Sequence, residues 1–290
     1  KRQLRLNLAP VAEAFEQERA AAGMPPKQPP RPGLEQFAQA GEEWQRQKMH
    51  DLVETFGEGC ILGDVHRDQQ GRYTFGRRTD LRAALAAAVP HRFIVEPAYQ
   101  VTPPFERGMN IEHYRAAFNL NYGELLPDLI QVLPPQTSSR VVTTEGRLVP
   151  VAGADIRHQL RIIDIKLTAE ASPSYFGEVV YYATVLAGWL EAVGLAQRFS
   201  VADDPAVWAG SHDASHVTRR FRDARNAGDV VTPQQLFESL NDDLEFVPFE
   251  VFEFRLRRFL QNDLLEVLSQ DWRALPWHVD SRCRGCDYLG

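Results

Sequence analysis

The segment from Ile162 to Leu167 reads Ile-Ile-Asp-Ile-Lys-Leu, and it constrains the fold of this chain more than any other stretch. Successive side chains of a β-strand point to opposite faces, so Asp164 and Lys166 share one face of an otherwise apolar strand. Burying either charge without a partner costs on the order of several kcal/mol. Such a strand needs a charge partner, a metal ion or a functional cleft on its polar face.

A second acidic residue lies in another short apolar run. This run reads Leu-Leu-Pro-Asp-Leu-Ile, and its aspartate is Asp128, directly after Pro127. Two carboxylates and a lysine on neighbouring strands can hold a divalent metal ion and position a water for phosphodiester hydrolysis. Asp128, Asp164 and Lys166 are therefore the candidate catalytic residues. The alternative is a structural Asp–Lys pair at the edge of a sheet.

The apolar pattern predicts helices first, then a cluster of strands, then helices again. Helical patterns cover 10–22, 34–56, 79–88, 176–193, 233–240 and 249–268, and strand patterns cover 92–96, 99–101, 114–121, 128–133, 140–144, 160–167 and 195–201. This order predicts an α/β fold with a mixed central sheet flanked by helices and with extra helices at both ends. We expect a single domain over 1–290. It comprises a helical extension and Pro-rich segment at 1–33, a core at 34–200 and a C-terminal helical region with a cysteine motif at 201–290.

Composition is that of an ordinary globular protein. The 290 residues are 44% hydrophobic and 24% charged. No apolar run approaches the roughly 20 residues of a membrane span. The start of the chain has no apolar signal-peptide segment and no initiator methionine, so we expect a piece of a longer protein. The net charge of −7 argues mildly against non-specific nucleic-acid binding, although arginines at 219–225 and 255–258 can supply a local basic groove.

The cysteines indicate metal ligation and not a disulfide framework. Of the three cysteines, Cys283 and Cys286 form a C-x-x-C pair near the end of the chain. This pattern suits a reducing cytoplasm and half of a metal site, which His278 can complete as a zinc site. Cys60 follows Gly59 at a turn that enters a strand, and we expect it to be a small buried thiol.

In combination these motifs resemble the PD-(D/E)XK nucleases. Pro-Asp at 127–128 and Asp-x-Lys at 164–166 resemble the family signature, and 178–182 resembles the Gln-x-x-x-Tyr helix of its RecB-like branch. The terminal C-x-x-C is similar to the cysteine cluster of the iron–sulfur members, which include AddB, CRISPR-adaptation nucleases and replication helicase–nucleases. The resemblance implies a restriction-endonuclease-like core, in which a helix precedes a three-stranded meander and a crossover helix.

The resemblance also implies a metal site and its residues. Mg²⁺ or Mn²⁺ would be held by Asp128, Asp164 and the carbonyl oxygen of Ile165. Lys166 would orient or deprotonate the attacking water. Cys283 and Cys286 would be two ligands of a structural 4Fe-4S cluster, with Zn²⁺ as the alternative, and the two outer ligands would lie beyond this chain.

Two residues depart from the pattern of the family. In the family, a glutamine and a tyrosine at the spacing of Glu178 and Tyr182 contact the DNA and steady the site, so these two are the candidate substrate-binding residues. Glu178 stands where glutamine is usual, and because a carboxylate repels phosphate, a contact with Lys166 or with the metal is the alternative to a contact with DNA. The alternative for Tyr182 is a packing residue. Gln45 falls where the family has histidine or glutamate, and a neutral amide is a weaker ligand for a hard cation than a carboxylate. Gln45 would serve through its carbonyl oxygen, or the role would pass to Glu42, Glu43 or His50.

The function that the resemblance implies is metal-dependent cleavage of DNA, single-stranded at ends or flaps. The chain would belong to a helicase–nuclease, DNA-repair or phage-defence system and would have a helicase domain or subunit as its partner. The first rival is a catalytically inactive nuclease-fold domain that acts as a DNA-binding or protein-interaction scaffold, which Gln45 and Glu178 favour. The second rival is a zinc-binding interaction domain, which the acidic net charge and the lone C-x-x-C favour.

Overall fold

A computed structural model of the chain describes residues 9–23, 32–76, 78–136, 140–210, 215–271 and 273–275. The α-helices are α1 (Ala9–Ala21), α2 (Pro32–Phe56), α3 (Leu81–Ala86), α4 (Pro103–Gly108), α5 (Tyr114–Phe118), α6 (Pro173–Ala192), α7 (His216–Ala227), α8 (Pro233–Leu240), α9 (Phe249–Arg258) and α10 (Leu264–Ser269). The strands are β1 (Ile61–Leu62), β2 (Val65–Arg67), β3 (Tyr73–Phe75), β4 (Thr79–Asp80), β5 (Arg92–Val95), β6 (Pro97–Gln100), β7 (Glu124–Leu125), β8 (Leu129–Leu133), β9 (Arg140–Val142), β10 (Leu148–Pro150), β11 (His158–Leu167), β12 (Phe199–Ala202), β13 (Ala206–Gly210) and β14 (Glu245–Phe246). A π-helical turn, Phe259–Asp263, joins α9 to α10.

A mixed sheet with β11 near its centre organises the fold. Its strand order is β1–β5–β8–β11–β12–β9–β10, and β13 also pairs with β11 and carries β14. β8 runs antiparallel to β5 and to β11. β12 and β13 run parallel to β11 and pair with its first and second halves respectively. Strand β11 therefore has hydrogen-bonded neighbours along both of its edges.

Helices cover both faces of this sheet. On one face, Ile162 packs in a core with residues of α6 such as Val180 and Leu186. On the other face, Ile163 packs in a second core with Leu52 of α2 and with residues of α7 and α8. Side chains of β11 are consequently buried on alternating faces, as expected for a strand covered on both sides. The predicted α/β fold, with a mixed central sheet flanked by helices, is confirmed.

Local sequence sets the limits and the packing of α6. Pro173 lies in the first turn, where a backbone N–H has no partner within the helix, so that the N–H that proline lacks is not missed. Gly194 follows the end of the helix with φ 75°, a left-handed conformation that favours glycine. Within the helix, a Cβ atom on Gly188 would lie 2.7 Å from the backbone nitrogen of Phe105 in α4. Glycine at this point allows α4 to lie directly against α6.

The strand predicted over 114–121 is wrong, because this segment contains helix α5. Tyr114 and Phe118 are four residues apart, and their rings meet edge to face with centroids 5.7 Å apart. Tyr114 is fully buried and donates a hydrogen bond to the carbonyl of Leu260 at 2.8 Å. The aromatic and apolar composition of the segment resembled a strand, but its spacing is that of a helix.

The region between α2 and β5 is more elaborate than the sequence predicted. β2 and β3 form an antiparallel hairpin that no strand prediction covered. The helix predicted over 79–88 is shorter and begins at Leu81. Asp80 caps it by accepting a hydrogen bond from the Ala83 N–H at 3.1 Å.

Candidate active site

The candidate site lies where β8 separates from β11. The antiparallel register of the two strands ends at the pair Leu129–Ile163. Beyond this pair, Pro127 has no backbone N–H with which to continue the ladder. The side chain of Asp128 takes over, and its Oδ2 accepts a hydrogen bond from the Ile165 N–H at 2.5 Å. A carboxylate therefore occupies the gap between the two strands.

The second carboxylate and the lysine come from β11. One further step along the strand register places Asp164 opposite Asp128. Lys166 projects from the same face, and its Nζ lies 2.7 Å from Asp164 Oδ2 and 3.6 Å from Glu178 Oε2. The ring of Tyr175 approaches the same ammonium at 5.4 Å. The structure thus brings together the three residues that the sequence motifs selected.

Helix α6 contributes Glu178 and Tyr182 on the face that covers the site. The Tyr182 hydroxyl donates a hydrogen bond to Glu178 Oε1 at 3.0 Å. Tyr99 donates in turn to the Tyr182 carbonyl at 3.0 Å, which fixes this turn of the helix against β6. Glu178 is therefore held between Tyr182 and Lys166, consistent with the contact to Lys166 that its departure from glutamine implied.

Gln45 reaches the site from α2, on the opposite side of Asp128. Its Nε2 donates a hydrogen bond to Asp128 Oδ1 at 2.5 Å. In this arrangement the amide nitrogen, and not the carbonyl oxygen, faces the carboxylate. With Ile165 on Oδ2 and Gln45 on Oδ1, both oxygens of Asp128 accept a hydrogen bond. The prediction that the carbonyl oxygens of Gln45 and Ile165 bind a metal remains a prediction.

The electrostatics of the site are dominated by buried acidic groups. Burial raises the pKa of Asp128 well above its usual range, and the neighbouring Asp164 raises it further. Burial also raises the pKa of Asp164, although Lys166 opposes this shift. Burial lowers the pKa of Lys166, but Asp164 and the other carboxylates outweigh burial and hold this pKa above its usual value. In the part of the chain that the structure describes, Lys166 is the cation that faces Asp128, Asp164 and Glu178.

The donor set fits a hard divalent cation. Mg²⁺ and Mn²⁺ prefer oxygen ligands, and the structure places the half-buried Asp128 beside the buried Asp164. The Lys166 ammonium lies 2.7 Å from Asp164 Oδ2. A cation bound between the two aspartates would share the negative charge of Asp164 with Lys166.

A second group of potential ligands lies further along α2. Ligand atoms of His50, Asp51 and Glu54 lie within 4.8 Å of one another. Asp51 accepts a hydrogen bond from Gln47 Nε2 at 2.9 Å, and His50 Nδ1 lies 3.9 Å from Glu54 Oε1. His50 is one of the residues considered as a substitute for Gln45, but its nearest acidic partners are on its own helix and not on β8 or β11.

The cysteine predictions divide between described and undescribed residues. Cys60 is buried and precedes β1, as predicted for a small thiol at a turn into a strand. Arg92 Nη1 lies 3.4 Å from its sulfur. Cys283, Cys286 and His278 lie outside the described residues, so the 4Fe-4S cluster and its zinc alternative remain predictions.

One acidic residue beside the site was not selected from the sequence. Glu96 ends the apolar run 93–95 and precedes Pro97, and its N–H donates to the Asp128 carbonyl at 2.8 Å. An acidic residue at the end of an apolar strand is the same signal that identified Asp128. Applied to β5, this signal would have identified Glu96 as well.

No protein-family model, no curated protein and no solved structure matches this chain. Within the described part of the chain, none of the helices has both the length and the apolar character needed to cross a membrane. The functional assignment therefore depends on the geometry of the site and on the motifs that built it.

Proposed function

We propose that this chain is a metal-dependent deoxyribonuclease that hydrolyses phosphodiester bonds, with single-stranded DNA as its substrate. The observation that carries the proposal is the convergence of Asp128, Asp164 and Lys166 at the point where β8 and β11 separate. Two carboxylates that can bind one metal ion, with a lysine beside them, are a set of groups suited to phosphodiester hydrolysis. A structural ion pair alone would not require the second aspartate.

The order of the elements supports a PD-(D/E)XK core. Helix α2 precedes the three antiparallel strands β5, β8 and β11, and α6 then crosses over to β12 and β13, which run parallel to β11. The nucleases that the motifs resemble have the same succession of helix, meander and crossover helix. We extend the proposal accordingly to a role within a helicase–nuclease, a DNA-repair system or a phage-defence system.

Each residue of the site has a distinct role in this proposal. Asp128 and Asp164 would hold Mg²⁺ or Mn²⁺, which when bound supplies Lewis-acid stabilisation of charge on the phosphate. The ion pairs of Lys166 with Asp164 and Glu178 favour the charged ammonium, so we assign Lys166 to orienting water and stabilising negative charge. Glu178, fixed by Tyr182, positions Lys166 from the helix side.

Cleavage of labelled single-stranded DNA in the presence of Mg²⁺ or Mn²⁺ tests the proposal. Wild type is compared with Asp164→Asn and Lys166→Met, which change the charge and nearly preserve the shape of each side chain. We expect both substitutions to lower the cleavage rate on the order of 10²–10⁴-fold. EDTA should abolish cleavage by the wild type.

Asp229→Asn is the matched control, because Asp229 is an exposed aspartate that follows α7 and takes no part in the site. This variant should cleave at the wild-type rate. Cleavage that persists in Asp164→Asn and Lys166→Met would come from another site or from a contaminant and would overturn the proposal. A folded wild type that binds DNA but does not cleave it with either metal would favour the scaffold function instead.

A further inference from the structure

Glu96 completes a row of three acidic residues across three adjacent strands. Val95 of β5 and Ile163 of β11 are both paired with the same residue, Leu129 of β8. When both registers are extended by one residue, Glu96 lies opposite Asp128, and Asp128 lies opposite Asp164. The β5–β8 ladder continues to this row, because the Glu96 N–H donates to the Asp128 carbonyl at 2.8 Å.

The backbone at Glu96 has an unusual conformation for its residue type. Its φ is 43°, in the left-handed region that glutamate adopts rarely, and Pro97 follows, which favours extended backbone in the residue before it. Both backbone groups of Glu96 are hydrogen-bonded. Its N–H donates to the Asp128 carbonyl, and its carbonyl accepts from the Thr79 N–H at 2.9 Å. Strain of this kind is frequent at functional sites.

Glu96 lines a cavity that also reaches Gln45. This cavity has a volume of about 450 Å³ and lies between α2, the β2–β3 hairpin and the end of β5. Gln45 lines the same cavity and donates to Asp128 Oδ1, so the cavity borders the candidate site on the side away from α6. Glu96 and Gln45 therefore line one cavity, and Gln45 contacts Asp128 directly.

We propose that Glu96 is a third carboxylate ligand of the divalent cation at this site. The inference rests on the proposed function and adds a residue to it. A hard cation gains more from an anionic oxygen than from the neutral amide of Gln45, and Glu96 supplies that charge from the strand next to Asp128. Gln45 then orients Asp128 by its hydrogen bond, and the residue that replaces the missing acidic ligand lies on β5 and not on α2.

Binding of Mn²⁺ in the absence of DNA tests this inference without an activity measurement. Isothermal titration calorimetry compares the wild type with Glu96→Gln, Asp128→Asn and Asp68→Asn. Asp68 is the matched control, because it is an acidic residue that lines the same cavity from the β2–β3 hairpin and is not a candidate ligand. We expect Glu96→Gln to weaken Mn²⁺ binding by about tenfold or more, Asp128→Asn to abolish it, and Asp68→Asn to leave it unchanged.

The outcomes separate this inference from the proposed function. If Asp128→Asn abolishes binding while Glu96→Gln binds as the wild type does, Glu96 is not a ligand and the nuclease proposal stands. If Asp68→Asn weakens binding as much as Glu96→Gln, the effect is general electrostatics and the inference fails. If the wild type binds no Mn²⁺, both proposals fail. Thermal unfolding in EDTA establishes that each variant is folded. If Glu96→Gln does not fold, Glu96→Asn is used in its place, because asparagine adopts the left-handed backbone conformation readily.

Discussion

Strand β11 carries a buried charged group on each of its two faces, and the two groups are built differently. On the face toward α8, Arg161 donates to Asp204 Oδ1, to Gln131 Oε1 and to Asn241 Oδ1, each at 3.0 Å, and its remaining guanidinium nitrogen contacts the other oxygen of Asp204. One positive charge thus meets one negative charge and two neutral acceptors. This cluster is completed by the protein alone.

On the face toward α6, the groups around Lys166 are not balanced in this way. Among the described residues, Asp128, Asp164 and Glu178 surround the single ammonium of Lys166. Burial and mutual repulsion raise the pKa of both aspartates. The difference shows how a structural polar cluster is distinguished from a site: the first satisfies its charges internally, whereas the second leaves a charge for a ligand to neutralise.

The largest expected effect that separates the two faces is that of Asp128→Asn. The cleavage rate should fall on the order of a thousandfold, because an amide cannot replace a carboxylate as a ligand. Stability should not fall. The asparagine oxygen can accept from the Ile165 N–H, and its amide can donate to Gln45 after the Gln45 amide group rotates by 180°. The substitution also removes the negative charge of Asp128, whose burial is unfavourable. Urea unfolding in EDTA at pH 7.5 should give a free energy of unfolding equal to or above that of the wild type.

This prediction fails if Asp128→Asn lowers the free energy of unfolding in EDTA by more than about 1 kcal/mol, the contribution of an ordinary hydrogen bond. Such a loss would mean that Asp128 is a structural acceptor for the Ile165 N–H and Gln45. The site would then resemble the Arg161 cluster, and the distinction between the two faces of β11 would disappear.

The converse result is expected for Arg161→Met. This substitution removes the donor from the buried Gln131 and from the less buried Asp204 and Asn241, and we expect a loss of about 3 kcal/mol in the free energy of unfolding. The loss should lie at the lower end for a buried pair, because the Asp204 side chain is 38% exposed and water can solvate it. Cleavage per folded molecule should not change.

Arg140→Met is the control for this second prediction. Arg140 pairs with Asp203 and Glu250, but its side chain is 48% exposed, so its loss should cost less than about 1 kcal/mol. Equal losses for Arg140→Met and Arg161→Met in urea unfolding would show that burial does not strengthen the Arg161 cluster. A loss of cleavage in folded Arg161→Met would show that the two faces of β11 are coupled.

Local sequence pattern predicted one face of this strand well and the other face poorly. The alternation Ile163, Asp164, Ile165, Lys166 is sufficient to place the acidic and basic groups on one side of a strand, and the structure has them there. The partners of Arg161 come from segments more than twenty residues away in sequence, and no local pattern identifies them. Side-chain alternation is a local property, whereas pairing of charges across strands depends on the sheet order.

The same limit explains what was missed around the site. Glu96 is adjacent to Asp128 only because β5 and β8 are neighbours in the sheet, a pairing that the order of elements along the chain leaves open. The error at α5 has a different cause, since the aromatic composition of the segment outweighed the helical spacing of Tyr114 and Phe118. Strand register and side-chain spacing therefore carry the information that composition does not.

The smallest expected effect is a pH dependence of stability in the metal-free protein. The pKa values of Asp128 and Asp164 are raised on folding, so the folded state binds protons more tightly than the unfolded state, in which an aspartate has a pKa of about 4. Their contribution to stability is therefore complete below about pH 4 and is lost as the pH rises through the raised values. In EDTA, the free energy of unfolding should therefore fall as the pH rises above about 4.

The difference in free energy of unfolding between the wild type and Asp128→Asn isolates this effect from other titrating groups. The stability of the variant should depend less steeply on pH. Mn²⁺ should restore the stability of the wild type more at pH 8 than at pH 5, because protons and the cation compete for the same carboxylates. The free energy of unfolding of Arg161→Met, measured in parallel, should be lower than that of the wild type by a constant amount at every pH. The reason is that the charges of the Arg161 cluster are neutralised by the protein itself. A wild type whose stability rises between pH 5 and pH 8 as much as that of Asp128→Asn would show that the face toward α6 is also neutralised by the protein itself.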